Sequence, residues 1–190
     1  MKQLYLLFLL ITCLACKSES KTNDVVENVA MNTKVTGPVF GTSFAVTYAS
    51  EENYVKQFDS LFTVVNQSMS TYIPNSDISR LNKNLDIKLD DHFKRVFEAS
   101  KQVYSETNGV FDPTIGDVVN AWSFGADKNK FLTDSTTIDS LMKFVGLEKV
   151  TWENGRISKP KGTYIEFNAI AKGYAVDVIG EFLESKNISD

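Results

Sequence analysis

The sequence predicts an α+β fold, and three observations carry that prediction. Stretches with apolar residues at helical spacing recur along the chain. Short alternating or turn-bounded stretches lie between them. The two kinds do not alternate regularly, as a doubly wound parallel sheet would require. The chain has 190 residues, 43% hydrophobic and 23% charged, which suits one sizeable globular domain.

The N-terminus reads MKQLYLLFLLITCLAC, with a positive Lys2 and an unbroken apolar run from Leu4 to Ile11. A bilayer span needs about 20 apolar residues, so this run is too short and fits the core of a secretory signal peptide over residues 1–15. It ends in Leu14-Ala15-Cys16, which resembles the processing site of bacterial lipoproteins. There the cysteine is lipid-modified and becomes the first mature residue. Cys13 stands where that site usually has Leu, and the alternative is an ordinary signal peptide with an incidental cysteine. The polar stretch that follows, over residues 16–34, has no sustained periodicity and reads as a disordered tether. As a flexible coil it reaches roughly 25 Å, enough to hold a domain just off a membrane. The expectation is therefore an exported protein, lipid-anchored at Cys16 on the periplasmic side of a bacterial membrane, with its folded domain over residues 35–190.

Val35–Ala49 alternates apolar and polar residues around Gly41 and predicts two strands or a bent hairpin. From Glu52 to Met69 the residues Val55, Phe58, Leu61, Phe62 and Val65 have helical spacing. Ser70–Asn75 breaks that helix, and Asn75 or Ser76 caps a short one through Leu81. Asp90 or Asp91 opens another, with Phe93, Val96, Phe97, Ser100 and Val103 on one face, and Asn108-Gly109 closes it. Gly109–Gly125 is apolar but punctuated by Gly and Pro, so it predicts a loop carrying a short helix. Ser135 or Thr136 to Val145 predicts a helix. Lys149–Trp152 and Arg156–Ser158 flank Asn154-Gly155, a hairpin signal. Tyr164–Phe167 predicts a strand, and Ala169 or Ile170 opens a long helix with Ile170, Tyr174, Val178 and Phe182 on one stripe.

Charge and cysteine usage exclude some functions. With 20 basic and 24 acidic residues the net charge is −4, which supplies no electrostatic reason to bind nucleic acid. The only cysteines are Cys13 and Cys16, so the folded part has neither a disulfide framework nor a cysteine metal site. His92 is the only histidine and reads as a helix-surface residue.

Three segments could carry chemistry. In Ile165–Asp177, IEFNAIAKGYAVD, a strand runs into a helix through the small residues Ala169, Ala171 and Gly173. The amides of a helix's first turn favour anions and Lys172 adds positive charge, as a diphosphate site requires. A tight connection with a surface lysine explains the same residues, and on the residues alone it is the stronger reading. Tyr72, in Met69-Ser70-Thr71-Tyr72, could stack on a flat heteroaromatic ring, or pack half-buried on the next helix. Asp112, in Phe111-Asp112-Pro113-Thr114, could accept hydrogen bonds from a base or ribose, or cap the helix that Thr114 begins.

Taken together, Gly41-Thr42, MSTY with SDISRLN, GVFDPTIGDVVNAWSFG and IEFNAIAKGYAVD resemble, in order and spacing, the FAD:protein FMN transferase family, also called the ApbE family. The resemblance runs from Val35 to the C-terminal end. It implies an enzyme that cleaves the diphosphate of FAD with Mg²⁺ and attaches FMN through a phosphoester to a Thr or Ser of a target protein, such as a subunit of a membrane redox pump. By resemblance, Phe40 stands beside the flavin and Tyr72 faces its ring. Val110, Phe111 and Asp112 match a FAD-binding turn. Glu166 replaces a common Asp, Lys172 contacts FAD, and Ala169 offers a backbone carbonyl to the metal. Asn168 replaces a common Gly or Ser. The family's Gly-Gly-Asp turn, His-containing segment and Asp/Thr metal segment normally follow the point where this sequence stops. The resemblance therefore implies a fragment that lacks transfer activity by itself. The alternatives are an FAD pyrophosphatase and an exported flavin-binding lipoprotein without chemistry.

Overall fold

The computed structural model describes residues 32–127 and 133–189. The signal run, Cys16 and most of the tether lie outside the described residues. The α+β expectation holds: six α-helices and two small antiparallel hairpins make up the regular structure among them.

β1 (Asn32–Val39) pairs with β2 (Thr42–Ala49) from Asn32↔Ala49 to Val39↔Thr42. The strand starts at Asn32, so Asn32–Lys34, assigned to the tether from sequence, instead continue the ladder opposite Thr47–Ala49. Phe40 and Gly41 form the two-residue turn, with φ of 48° and 74°. Positive φ at both central positions is the turn whose twist matches that of the paired strands.

α1 (Val55–Met69) buries Phe58, Val65 and Met69. It begins at Val55 rather than Glu52 because the chain before it is held in a turn. The Tyr48 hydroxyl donates to the Glu52 carbonyl at 2.7 Å and accepts from the Tyr54 amide at 3.1 Å. α2 (Asp77–Asn82) is capped by Ser76, and α3 (Asp91–Glu106) by Asp90, whose carboxylate accepts from the Phe93 amide at 2.7 Å. α4 (Gly116–Ala121) is the short helix of the Gly/Pro-punctuated stretch. α5 (Ser135–Met142) is capped by Asp134 and stops before Val145. There the amides of Phe144 and Val145 turn to carbonyls three residues back, at 3.0 and 3.2 Å. A 3₁₀ turn (Leu147–Lys149) leads into β3 (Thr151–Glu153), which pairs with β4 (Arg156–Ser158) across Asn154-Gly155. α6 (Ala171–Ser185) closes the described chain.

The expected strand at Tyr164–Phe167 forms only a single parallel bridge, Ile115↔Tyr164. On the Ile115 side the Gly116 amide donates to the Tyr164 carbonyl at 3.2 Å and the Glu166 amide to the Pro113 carbonyl at 2.8 Å. Ile165 is satisfied by a side chain instead of a strand. Asn82 Nδ2 donates to its carbonyl at 2.8 Å, and its amide donates to Asn82 Oδ1 at 2.9 Å.

Two apolar clusters form the core. One gathers Val65, Met69, Phe93, Phe97, Ile165 and Phe167 among others. The second joins Val35 and Tyr48 of the hairpin to Phe58 and Ile179. α1 and α6 contribute to both, which sets their ends around the cleft described next.

Candidate functional site

Three stretches of chain meet at a cleft of about 620 Å³. The hairpin turn contributes Phe40 and Gly41. The end of α1 and the turn after it contribute Val65, Asn66, Met69, Ser70, Tyr72 and Ile73. The bend before α6 contributes Asn168, and the first turn of α6 contributes Ala171 and Lys172. Apolar walls with a few polar groups at the rim are the usual make-up of a small-molecule site.

Each side chain is placed for a local reason. Phe40 sits at positive φ, which is rare for a bulky residue, and its ring packs edge-on against Phe62 at 5.7 Å. Tyr72 follows the end of α1, where Ser70 stops the helix in extended conformation, and the residue is 57% exposed. A large aromatic left that open can stack on a flat ring entering the cleft. Lys172 lies in the first turn of α6 and is exposed. No side chain caps that helix, and its first turn carries no acidic residue. The positive end of the helix dipole and the Lys172 ammonium therefore act on the same corner of the cleft. Phe40 and Lys172 also border a second hollow of about 510 Å³, lined by β2 and α6.

The structure thus brings together Phe40, Tyr72 and Lys172, which lie far apart in sequence. Val110, Phe111, Asp112, Glu166 and Ala169 are not among the residues lining the cleft. Val110 is 89% exposed. The Asp112 carboxylate accepts from the Thr114 amide at 2.8 Å, the Thr114 hydroxyl at 2.6 Å and the Leu147 amide at 3.3 Å. Glu166 is half-buried, and burial raises its pKa while the Asn168 amide, donating to it at 3.1 Å, opposes the rise. Asn168 thereby links the cleft to Glu166. Ala169 is exposed beside it.

Sequence reasoning did not single out Asn66, Ser70 or Ile73 as site residues. Their signal was the break of helical spacing at Ser70, which marks where the cleft floor turns. The described residues do not by themselves fit a divalent cation. No three His, Cys, Asp or Glu side chains among them come together so as to hold a metal ion. A single carbonyl such as that of Ala169 falls well short of the roughly six oxygens that Mg²⁺ takes.

Comparison with known proteins bears on the family and the fold. A protein from Haemophilus influenzae named FAD:protein FMN transferase is 29% identical over 195 residues, covering 91% of this chain and 52% of that protein. One of the same name from Vibrio cholerae is 27% identical over 175 residues, covering 86% of this chain and 52% of its own. The solved structure of the Vibrio cholerae flavin transferase ApbE superposes with a TM-score of 0.77 at 27% identity, over 84% of this chain and 55% of that one. The chain thus spans about half the length of the curated relatives it matches. The family model described as the ApbE family matches residues 40–190, which include every stretch lining the cleft, and the chain belongs to that family.

Proposed function

We propose that this chain supplies the FAD-holding part of an FAD:protein FMN transferase. The observation that carries the reading is that Phe40, Tyr72 and Lys172 line one cleft of about 620 Å³. Tyr72 offers its face to the isoalloxazine ring and Phe40 borders the ring from the hairpin side. Lys172 and the start of α6 hold the diphosphate, spreading its negative charge over an ammonium and a helix N-terminus. In the reaction a Thr or Ser hydroxyl of a target protein attacks the FMN phosphorus. The P–O bond to the AMP half breaks, AMP leaves with that oxygen, and the hydroxyl proton passes to a base. Mg²⁺, which the family resemblance implies, would neutralise diphosphate charge. Among the described residues no three His, Cys, Asp or Glu side chains come together to hold it. An acceptor in a membrane redox subunit fits an exported enzyme tethered through Cys16.

A fluorescence titration tests the site. The full chain should quench flavin fluorescence on binding FAD. Tyr72→Ala should weaken FAD by the stacking contribution, about 0.5–1.5 kcal/mol. Lys172→Glu should weaken FAD far more than riboflavin, which has no phosphates. Equal losses for the two ligands would assign Lys172 to packing. The anchor is tested separately: labelled palmitate should enter the wild type and not Cys16→Ala, and equal labelling would refute it.

A further inference from the structure

We propose that Asn82 is a positioning residue. Through α2 it sets the separation of two cleft-lining stretches, Met69–Ile73 and Asn168–Lys172. What the cleft binds rests on the function proposed above, whereas the positioning stands on geometry alone.

α2 has six residues, too few to be stable as an isolated helix. It is held at both ends by polar side chains, and each end holds one of the two stretches. At its N-terminus Ser76 is fully buried. Its hydroxyl donates to the Ser70 carbonyl at 2.6 Å and accepts from the Ser79 amide at 3.2 Å. The Ser79 hydroxyl reaches the same Ser70 carbonyl at 3.4 Å. Lys83, just past the helix, donates to the Pro74 carbonyl at 2.7 Å. The turn carrying Ser70, Tyr72 and Ile73 is thereby tied to α2.

At the other end Asn82 takes both backbone groups of Ile165, at 2.8 and 2.9 Å, as a neighbouring strand would. Ile165 is fully buried, so losing this amide leaves a buried donor and acceptor unmatched. Between Ile165 and α6 there is little slack. The Phe167 carbonyl accepts from the Ile170 amide at 3.0 Å and from the Ala171 amide at 2.7 Å. A shift at Ile165 is therefore passed on to Asn168, Ala171 and Lys172. One short helix connects the ring-stacking side of the cleft to its anion-binding side, and Asn82 is the link that a single substitution can cut.

The test measures the separation directly in the full chain without ligand. Cys13 and Cys16 are changed to Ser, and spin labels are placed at Asn75→Cys and Val176→Cys. Both positions are exposed and neither lines the cleft. Pulsed dipolar spectroscopy should give one narrow distance in this parent. Asn82→Ala should broaden or displace it. Asn82→Asp should do so at neutral pH, because a carboxylate accepts from the Ile165 amide but cannot donate to its carbonyl. Near or below about pH 4 the protonated acid donates and accepts like the amide, and the narrow distance should return. The same distribution in Asn82→Ala as in the parent would overturn the proposal. So would the absence of acid recovery in Asn82→Asp. If Asn82→Ala does not fold, Asn82→Asp at two pH values decides the question on one protein, with the parent at the same pH values as control. In the ligand arm, FAD affinity should fall about tenfold in Asn82→Asp at neutral pH and recover in acid relative to the parent. A parent that binds no FAD would count against the proposed function, and the distances would still decide the role of Asn82.

Discussion

Phe40 carries two opposed effects in one residue. Its left-handed backbone costs on the order of 1–3 kcal/mol for a residue with a bulky side chain. Its edge-on contact with Phe62 contributes about 0.5–1.5 kcal/mol beyond area burial. The cost is the larger of the two, so the backbone strain and the edge-on contact together hold the ring at the cleft with no net gain in stability. Phe40→Asn should therefore leave the melting temperature unchanged or raise it, because Asn-Gly is the preferred pair for this turn. The same variant should bind FAD more weakly, which calorimetry and a binding titration would measure together. A large loss of stability with unchanged binding would show that Phe40 serves packing. Glu166 carries a cost of another kind. Burial raises its pKa, so the native state holds the proton to higher pH than the unfolded chain. In the window between the two pKa values the native state binds more protons, and stability falls as pH rises through it. Glu166→Gln removes that loss. It should melt higher than wild type at pH 7 and nearly level with it in acid, below both pKa values. A variant melting lower at pH 7 would show that the ionised carboxylate is stabilising.

At the scale of elements, the turn from Phe111 to Thr114 is built around Asp112. Its carboxylate joins the entrance of α4 to the 3₁₀ turn, and the Thr114 hydroxyl adds a bond from the Gly146 amide at 2.8 Å. In the absence of ligand, Asp112→Ala should destabilise the protein by about 1–3 kcal/mol, as expected when buried donors lose their acceptor. Denaturant titration would read it. An unchanged midpoint would mean that the carboxylate serves a ligand rather than the fold. This turn also shows what was legible in the sequence. The caps at Ser76 and Asp90 rest on amides three residues ahead and the Asn154-Gly155 hairpin on its own turn, so each was readable to within one residue. The stripes of α1, α3 and α6 were readable because their buried residues repeat at the helical period. The failure of Tyr164–Phe167 to make a ladder was not readable. It depends on Asn82, distant in sequence, occupying the place of a strand. Of the site, motif order pointed to Phe40, Tyr72 and Lys172. The linking role of Asn168 depends on the bend of the chain between Ile165 and α6, which no periodicity announces.

For the whole molecule, the question is whether the hairpin with its cluster and the larger cluster form one cooperative unit. α1 contributes Phe58 to the first and Val65 and Met69 to the second, and α6 contributes Ile179 to the first and Tyr174 and Val178 to the second. Two continuous helices passing through both clusters couple them, since neither helix can lose one packed half and keep its position in the other. The cleft depends on this coupling, because Phe40 sits at the turn of the hairpin yet packs against the larger cluster, beside Met69 and Ala171. Phe58 is fully buried, with its ring edge-on to Tyr48 at 5.8 Å and to Phe182 at 5.9 Å. Phe58→Ala should cost about 3–5 kcal/mol, a large share of the roughly 5–15 kcal/mol that holds a domain together. Trp152 reports on the other cluster, where it packs against Phe93 at 6.2 Å and Phe97 at 5.8 Å. In a Trp122→Phe background its fluorescence isolates that cluster, while far-UV circular dichroism follows all the helices. If the clusters are one unit, Phe58→Ala should move both transitions to the same lower denaturant midpoint, and they should still coincide. A Trp152 transition that stays at the parent midpoint while the dichroism shifts would divide the molecule into two independently unfolding parts.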